Sequence, residues 1–395
     1  MKNNQLSIEV ANRLLGVGEY YFSKKLREVD EMRAAGKEII NLGVGSPDRP
    51  PHPDVVKILA AEAAKEHTHG YQPYKGAAIL RNAFTAWYAK YYGVSLNPAD
   101  EVLPLIGSKE GVMHVCMAYL NAGDRVLIPN PGYPTYRAAV TIAGGVCVEY
   151  KLCADSGWKP DFVAIEKEIV ANGHVKMMIV NYPHMPTGAA ASQKLFEDLV
   201  AFAQKHRILL LHDNPYSFTR CQKPLSLMAT PKAKEVALEL NSLSKSHNMA
   251  GWRVGVLVGA AERIDEVIRF KSNMDSGMFL PLQAAAAHAL SLPDEWYAQI
   301  NGLYYAREAK GYELLDILGC TYRPEQAGLF VWASLPQGYE GDGYTFSDSI
   351  LYDCGVFITP GGIFGSEGER YIRISLCAPE QVLQRAIEKI KDRYR

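Results

Sequence analysis

The segment Ser242-Leu-Ser-Lys-Ser-His-Asn-Met-Ala-Gly-Trp-Arg253 sets one lysine, Lys245, among small hydroxylic residues, with an arginine eight positions further on. A lysine amine condenses with an aldehyde to form a Schiff base when it is held close and partly desolvated. Hydroxyls at Ser242 and Ser244 and the guanidinium of Arg253 can hold a phosphate dianion on the same molecule. A solvated lysine on a polar surface loop fits this segment equally well. The choice between them rests on the rest of the chain.

Four other segments carry matching chemistry. Gly107-Ser-Lys-Glu-Gly111 follows an apolar run and opens a helical pattern, so free amides and the positive dipole end would face a phosphate, with Ser108 and Lys109 as contacts. An N-cap serine beside a solvated lysine is the plainer alternative. Pro129-Asn-Pro-Gly-Tyr-Pro-Thr-Tyr136 is a rigid turn that can hold Tyr133 flat against an aromatic ring. In His212-Asp-Asn-Pro-Tyr216, Asp213 ends a strongly apolar run, where an unpaired carboxylate is costly. A pyridinium N–H would keep both groups charged, and Tyr216 would reach a phenolic oxygen on the same ring; a helix N-cap is the other reading of Asp213. Arg373 shares the phase of Tyr371 and Ser375, opposite to Ile372, Ile374 and Leu376. An arginine so placed binds a carboxylate through two parallel hydrogen bonds, or lies on the surface. The cofactor that joins an aldehyde, a phosphate and a pyridine ring is pyridoxal phosphate.

These residues need a scaffold. Between about 100 and 260 short apolar runs alternate with helical patterns, and the predicted buried strands are Val102 to Ile106, Arg125 to Ile128, Lys176 to Val180, Ile208 to His212, Val236 to Leu240 and Val254 to Val258. This is an α/β pattern, a mostly parallel sheet covered by helices on both faces. Ser108, Tyr133, Asn181, Asp213 and Lys245 all fall just after these strands, on the edge where such sheets bind ligands. Beyond Pro293 the pattern changes to a long helix, short strands at Leu329 to Ala333, Val356 to Thr359 and Tyr371 to Leu376, and a final helix from Glu380 to Tyr394. Residues 1–50 are expected to form an arm and part of a small α+β domain, 51–290 the large cofactor domain, and 291–395 the rest of the small domain.

Bulk properties narrow the partners. The chain has 395 residues, 48% apolar and 22% charged, with a net charge of -1. That balance gives no basic field for nucleic acid or an acidic membrane, and favours a small-molecule substrate. Seven cysteines, with no C-x-x-C pair, point to reduced thiols and to no metal site. The N-terminus lacks the apolar core of a signal peptide and no run is long enough to span a bilayer, so a cytoplasmic protein is expected.

Taken together, the chain resembles the class I/II aminotransferases, pyridoxal-phosphate enzymes of the aspartate aminotransferase fold (fold type I), and is similar to the bacterial aspartate and LL-diaminopimelate aminotransferases. The resemblance runs from about Ile39 to Pro379. It is carried by Asn41-Leu-Gly-Val-Gly-Ser-Pro-Asp48, Tyr71 to Gly76 with Leu80-Arg81, Gly107 to Lys109, Gly132 to Pro134, Asn181 to Gly188, Asp213 to Tyr216, Ser242 to Lys245, Gly251-Trp-Arg253 and Arg373. It implies that Lys245 forms the Schiff base and moves the proton, Asp213 pairs with the ring nitrogen, Tyr216 with the phenolic oxygen, and Tyr133 stacks on the ring. It further implies phosphate contacts from Ser108, Lys109, Ser242 and Arg253, and substrate carboxylate contacts from Gly45 and Arg373. The residue matching Tyr71 reaches the neighbouring subunit's phosphate in relatives, which implies a homodimer with shared active sites.

The implied reaction moves an amino group from an L-amino acid to a 2-oxo acid. A C–S lyase or decarboxylase on the same scaffold is the alternative, because the pocket selects which bond breaks; a non-enzymatic regulator lacks a DNA-binding domain here. One departure stands out. In Asn181-Tyr-Pro-His-Met-Pro-Thr-Gly188, Met185 occupies the position where the family has a donating asparagine, and a thioether donates no hydrogen bond. His184 and Asn181 are the candidate substitutes, and Pro186 is expected to keep a cis bond. The stretch from Asn273 to Phe279 holds no arginine for a second carboxylate, and Tyr20, Tyr21 and Phe22 are candidates for an aromatic lid over a larger or less polar substrate.

Overall fold

A computed structural model of the chain describes residues 8–19 and 21–394. Its strands are β1 (Ile40–Asn41), β2 (Val102–Leu105), β3 (Arg125–Asn130), β4 (Val146–Lys151), β5 (Met177–Asn181), β6 (Leu209–Asp213), β7 (Ala237–Ser242), β8 (Gly255–Gly259), β9 (Thr321–Tyr322), β10 (Phe330–Ser334), β11 (Val356–Phe357), β12 (Thr359–Pro360) and β13 (Tyr371–Ser375). The helices are α1 (Tyr21–Ala34), α2 (Pro53–Ala63), α3 (Ala78–Tyr92), α4 (Ser108–Tyr119), α5 (Pro134–Ile142), α6 (Phe162–Asn172), α7 (Gln193–His206), α8 (Ala233–Val236), α9 (Leu243–Ser246), α10 (Ala261–Lys271), α11 (Leu280–Leu290), α12 (Asp294–Ile317), α13 (Gly343–Cys354) and α14 (Glu380–Arg393).

The central sheet has the order β2-β8-β7-β6-β5-β3-β4, and only β8 runs against its neighbours. All six predicted strands are present with ends shifted by a residue or two. The seventh, β4, escaped sequence reading because it is an edge strand whose Val146 and Glu149 are exposed, so its apolar run is broken. The inner strands are apolar at consecutive positions because both faces are covered. Met178, Val180 and Leu210 join the core beneath α3 and α7, whereas Met177, Ile179, Leu209 and Leu211 join a second core beneath α4 and α5.

The chain ends meet on the other side of the cofactor edge. β1 pairs in parallel with β11, and β12-β13-β10-β9 form an antiparallel sheet backed by α12 and α14. Gly302 and Gly311 do not interrupt α12, which runs unbroken for 24 residues. Arg307 on that helix grips Asp48 through two hydrogen bonds of 2.7 and 2.8 Å, fixing the Gly45 to Asp48 turn against the small sheet. No described helix is long and apolar enough to cross a membrane.

Candidate active site

The carboxyl ends of β2, β3, β5, β6 and β7 open into one cavity of about 390 Å³, and Ser108, Tyr133, Asn181, Asp213 and Lys245 all line it. So do Gly45, Lys109, Tyr216, Ser242, Arg253 and Arg373. Tyr71 does not: it is 96% exposed on the surface of this chain.

At the end of β7, Ser242 caps α9 by accepting from the Ser244 amide at 3.1 Å, and that short turn swings Lys245 into the cavity. Its Nζ donates to the Gly45 carbonyl at 2.8 Å. Burial, with like charge from Arg373 and Arg253 and an opposing influence from the Cys377 thiol, lowers its pKa, which favours the nucleophilic amine.

The turn from β2 into α4 is built around Gly107, which sits at φ 83°. A Cβ there would stand 2.2 Å from an Arg253 guanidinium nitrogen, so only glycine lets that cation lie over the first turn of α4. Gly107 is also the N-cap, which leaves the Ser108 hydroxyl out of the cap and corrects the plainer reading of that serine. Backbone amides, hydroxyls from Ser108, Ser242 and Ser244, Lys109 and Arg253 thus gather at one end of the cavity, a donor set matched to a phosphate.

Asp213 ends β6 beside Asn181 at the end of β5. No helix follows it, so the N-cap reading is wrong. Its Oδ2 accepts from the Tyr136 hydroxyl at 2.7 Å, whereas Oδ1 is buried without a hydrogen-bond partner. Burial pushes its pKa up to about 6, opposed by the Tyr136 hydrogen bond and by His212. An orphaned, buried carboxylate oxygen on a residue lining the cavity is the acceptor that a protonated ring nitrogen would fill. Beneath it, His212 shares a hydrogen bond of 2.8 Å with Glu239, which also accepts from Tyr88 at 2.9 Å, tying β6 to β7 and α3. Burial holds the Tyr216 phenol well above its usual pKa. Tyr133 precedes Pro134 at the start of α5, and its ring meets Tyr136 edge-on at 5.6 Å.

Arg373 is only 4% exposed, which rules out the surface reading. It donates to the Gly43 carbonyl at 2.9 Å and to the Met185 Sδ at 3.3 Å, and lies over the Phe330 ring at 3.7 Å. Met185 therefore accepts where an asparagine would donate. Of the two suggested substitutes, Asn181 lines the cavity, with its side-chain amide donating to the Asp213 carbonyl and accepting from the Met185 amide, whereas His184 lies outside the cavity and pairs with Thr187. The Met185–Pro186 bond is cis, as expected.

Sequence reading missed Tyr136, Phe330 and Phe364. Tyr136 lies three residues after Tyr133 on one helical face and carried a signal; the phenylalanines read as ordinary core. Of the expected lid, Phe22 lines the cavity, joined by Leu26 of the same helix, which the sequence had not suggested; Tyr21 packs against Tyr344 instead, and Tyr20 lies outside the described residues.

The sheet order, the buried lysine and the orphaned aspartate oxygen define a fold type I pyridoxal-phosphate enzyme, and the residues present fit that cofactor. The sequence model of aminotransferase class I and II matches residues 37–390. The LL-diaminopimelate aminotransferases of Moorella thermoacetica and Natranaerobius thermophilus are 38% and 40% identical, each over 97% of this chain and 98% and 99% of their own lengths. The substrate-bound structure of BacF from Bacillus subtilis superposes with a TM-score of 0.92 at 35% identity, covering 98% of both chains. The chain belongs to the class I and II aminotransferase family. It is a pyridoxal-phosphate-dependent aminotransferase, as the motifs implied.

Proposed function

We propose that this enzyme takes the amino group from an L-amino acid with a long, partly apolar side chain and passes it to a 2-oxo acid, with Lys245 as the proton carrier. The observation that carries the reading is the desolvated Lys245 amine sharing a cavity with the orphaned Oδ1 of Asp213. Pyridoxal phosphate, when bound, supplies the electron sink that makes a Cα proton removable. The chain's own residues do the rest. Asp213 would pair with the ring nitrogen, Tyr216 would hydrogen-bond the phenolic oxygen, and Tyr133 would stack on the ring. Ser108, Lys109, Ser242 and Arg253 hold the phosphate. Arg373, with the Gly45 backbone, would bind the substrate carboxylate and so orient the Cα–H towards the Lys245 Nζ, the amine placed to take that proton up and give it back.

The walls argue for the donor class. Phe22, Leu26, Phe330, Phe364 and Met185 present apolar surface to the substrate end, and no arginine besides Arg253 and Arg373 lines the cavity among the described residues. A short dicarboxylate such as aspartate has no second guanidinium to meet there. LL-diaminopimelate, named for the relatives, has the long methylene chain that these walls suit. An aromatic amino acid is the second reading, favoured by the three phenylalanines.

Tyr71, exposed and outside its own chain's cavity, suits a homodimer in which it completes the phosphate site of the second subunit. All seven cysteines are free, which supports a reducing, cytoplasmic setting. Steady-state rates with LL-diaminopimelate, phenylalanine and aspartate against 2-oxoglutarate test the donor assignment. The reading expects kcat/KM for aspartate to be at least about tenfold lower than for the preferred donor, since an unpaired buried carboxylate costs more than 1.4 kcal/mol; aspartate as the best donor would overturn it.

A further inference from the structure

A second group of ligand-type side chains lies behind the phosphate end of the cavity. Glu110 and His114 stand one turn apart on the same face of α4, and Asp275 reaches them from the turn after α10. One donor atom from each of the three lies within 4.8 Å of the others. His114 is 0% exposed, and neither of its ring nitrogens has a hydrogen-bond partner. The nearest carboxylate oxygen, Oε1 of Glu110, is 3.7 Å from Nε2, beyond a hydrogen bond, and the other close neighbour is the Phe270 ring. Across the gap, Oδ1 of Asp275 is bound by the Lys271 ammonium, while Oδ2 is buried with no partner.

Buried polar atoms are almost always bonded, so an imidazole with two unbonded nitrogens facing an unbonded carboxylate oxygen calls for a shared partner. A buried water, with two hydrogens to donate, would bridge the oxygen and an imidazole nitrogen, so the choice turns on charge and donor type. A cation serves both. Two carboxylates and one ammonium give the groups around the imidazole a net charge of one negative unit, which attracts a dication. Around one tetrahedral cation with bonds of ~2.1 Å the ligand atoms stand about 3.4 Å apart, so side-chain rotations closing on the order of 1 Å complete the set. With nitrogen and oxygen donors and no thiolate, the chemistry suits manganese, iron(II) or zinc rather than a soft cation.

We infer that Glu110, His114 and Asp275 form a binding site for one divalent first-row transition cation, with Lys271 remaining on Oδ1 of Asp275. The ion joins the helix that begins at Ser108 to the 272–279 turn. That turn also meets the Tyr71 segment, through the bridge between Gly277 and Gln72. Bound there, it braces two pieces of the phosphate site without touching the reacting atoms.

Manganese(II) is the probe, because cysteines do not compete for it and its free form is counted directly by electron paramagnetic resonance. The holoenzyme is treated with chelator, desalted and titrated with MnCl2. The inference expects one tightly held ion per chain, and binding at least about tenfold weaker in both Asp275→Asn and His114→Phe. Circular dichroism and the retained visible band of the cofactor establish that each variant is folded. Asp275→Asn preserves shape and decides the matter should His114→Phe fail to fold. No manganese retained by the parent, or equal retention by the parent and the folded variants, would overturn it.

Discussion

In the proposed role Lys245 acts as a base because its surroundings disfavour its positive charge: it is buried, and Arg373 and Arg253 lie near it. Replacing it with alanine is expected to lower kcat by at least about a thousandfold, the scale of a lost general base, with the protein still folded; single-turnover absorbance with excess donor measures this. Asp213 shows the opposite need. Its folded pKa of about 6 lies above the ordinary value of 3.8. In the cofactor-free protein the protonated group therefore contributes stability that is fully present below pH 4 and is lost as the pH rises through 6, on the order of 3 kcal/mol in all. Asp213→Asn, which cannot ionise, is expected to stabilise the cofactor-free protein relative to the parent at pH 7.5 but not at pH 4, as read by urea unfolding, while weakening cofactor binding. At Met185, the thioether accepts from Arg373 and donates nothing to the phenolic oxygen. Met185→Asn is expected to lower the pH midpoint of the bound cofactor's visible spectrum by about one unit, the worth of one added hydrogen bond to a charged oxygen. An unchanged midpoint would remove Met185 from that role.

At the scale of elements, two turns decide whether the cofactor is held. The β2–α4 turn depends on Gly107 at positive φ beneath Arg253. Gly107→Ala adds backbone strain of about 1 kcal/mol and pushes the guanidinium aside, so cofactor affinity is expected to fall more than about tenfold in an absorbance titration. The strands that aim these turns were legible in sequence because a sheet covered on both faces demands runs such as Met177 to Val180 and Leu209 to Leu211. Turn residues were legible too, since Ser108, Asp213 and Lys245 each follow such a run directly. What the sequence hid depends on distant packing. Phe330 belongs to β10, reads as core, and lines the cavity beside Arg373 of the neighbouring β13, a placement set by the pairing of two strands distant in sequence. Tyr21 and Phe22 are neighbours of like chemistry, yet helical geometry turns one towards Tyr344 and the other into the cavity.

For the molecule as a whole, the cavity is closed by both chain ends: Gly45, Phe22 and Leu26 come from the first, Phe330, Phe364 and Arg373 from the last. The Asp48–Arg307 pair locks them together, and because the Asp48 carboxylate keeps contact with solvent, removing Arg307 is expected to cost about 1–3 kcal/mol of stability, the worth of its hydrogen bonds to a charged group. That the ends would combine followed from the family motifs near Gly45 and Arg373; the β1–β11 pairing that does it is two residues long and carries no sequence signal. A dimer with shared sites predicts that Tyr71→Phe weakens cofactor binding although the residue is exposed on its own chain, a result that a monomeric enzyme would not give. The central claim, amino transfer through Lys245, is tested most directly by following the visible spectrum of the purified protein as single amino acids are added without any 2-oxo acid. The account predicts that LL-diaminopimelate or an aromatic donor bleaches the band stoichiometrically, that a 2-oxo acid restores it, and that Lys245→Ala does neither at a comparable rate. A persistent band with continued release of pyruvate and ammonia would contradict it and identify a lyase.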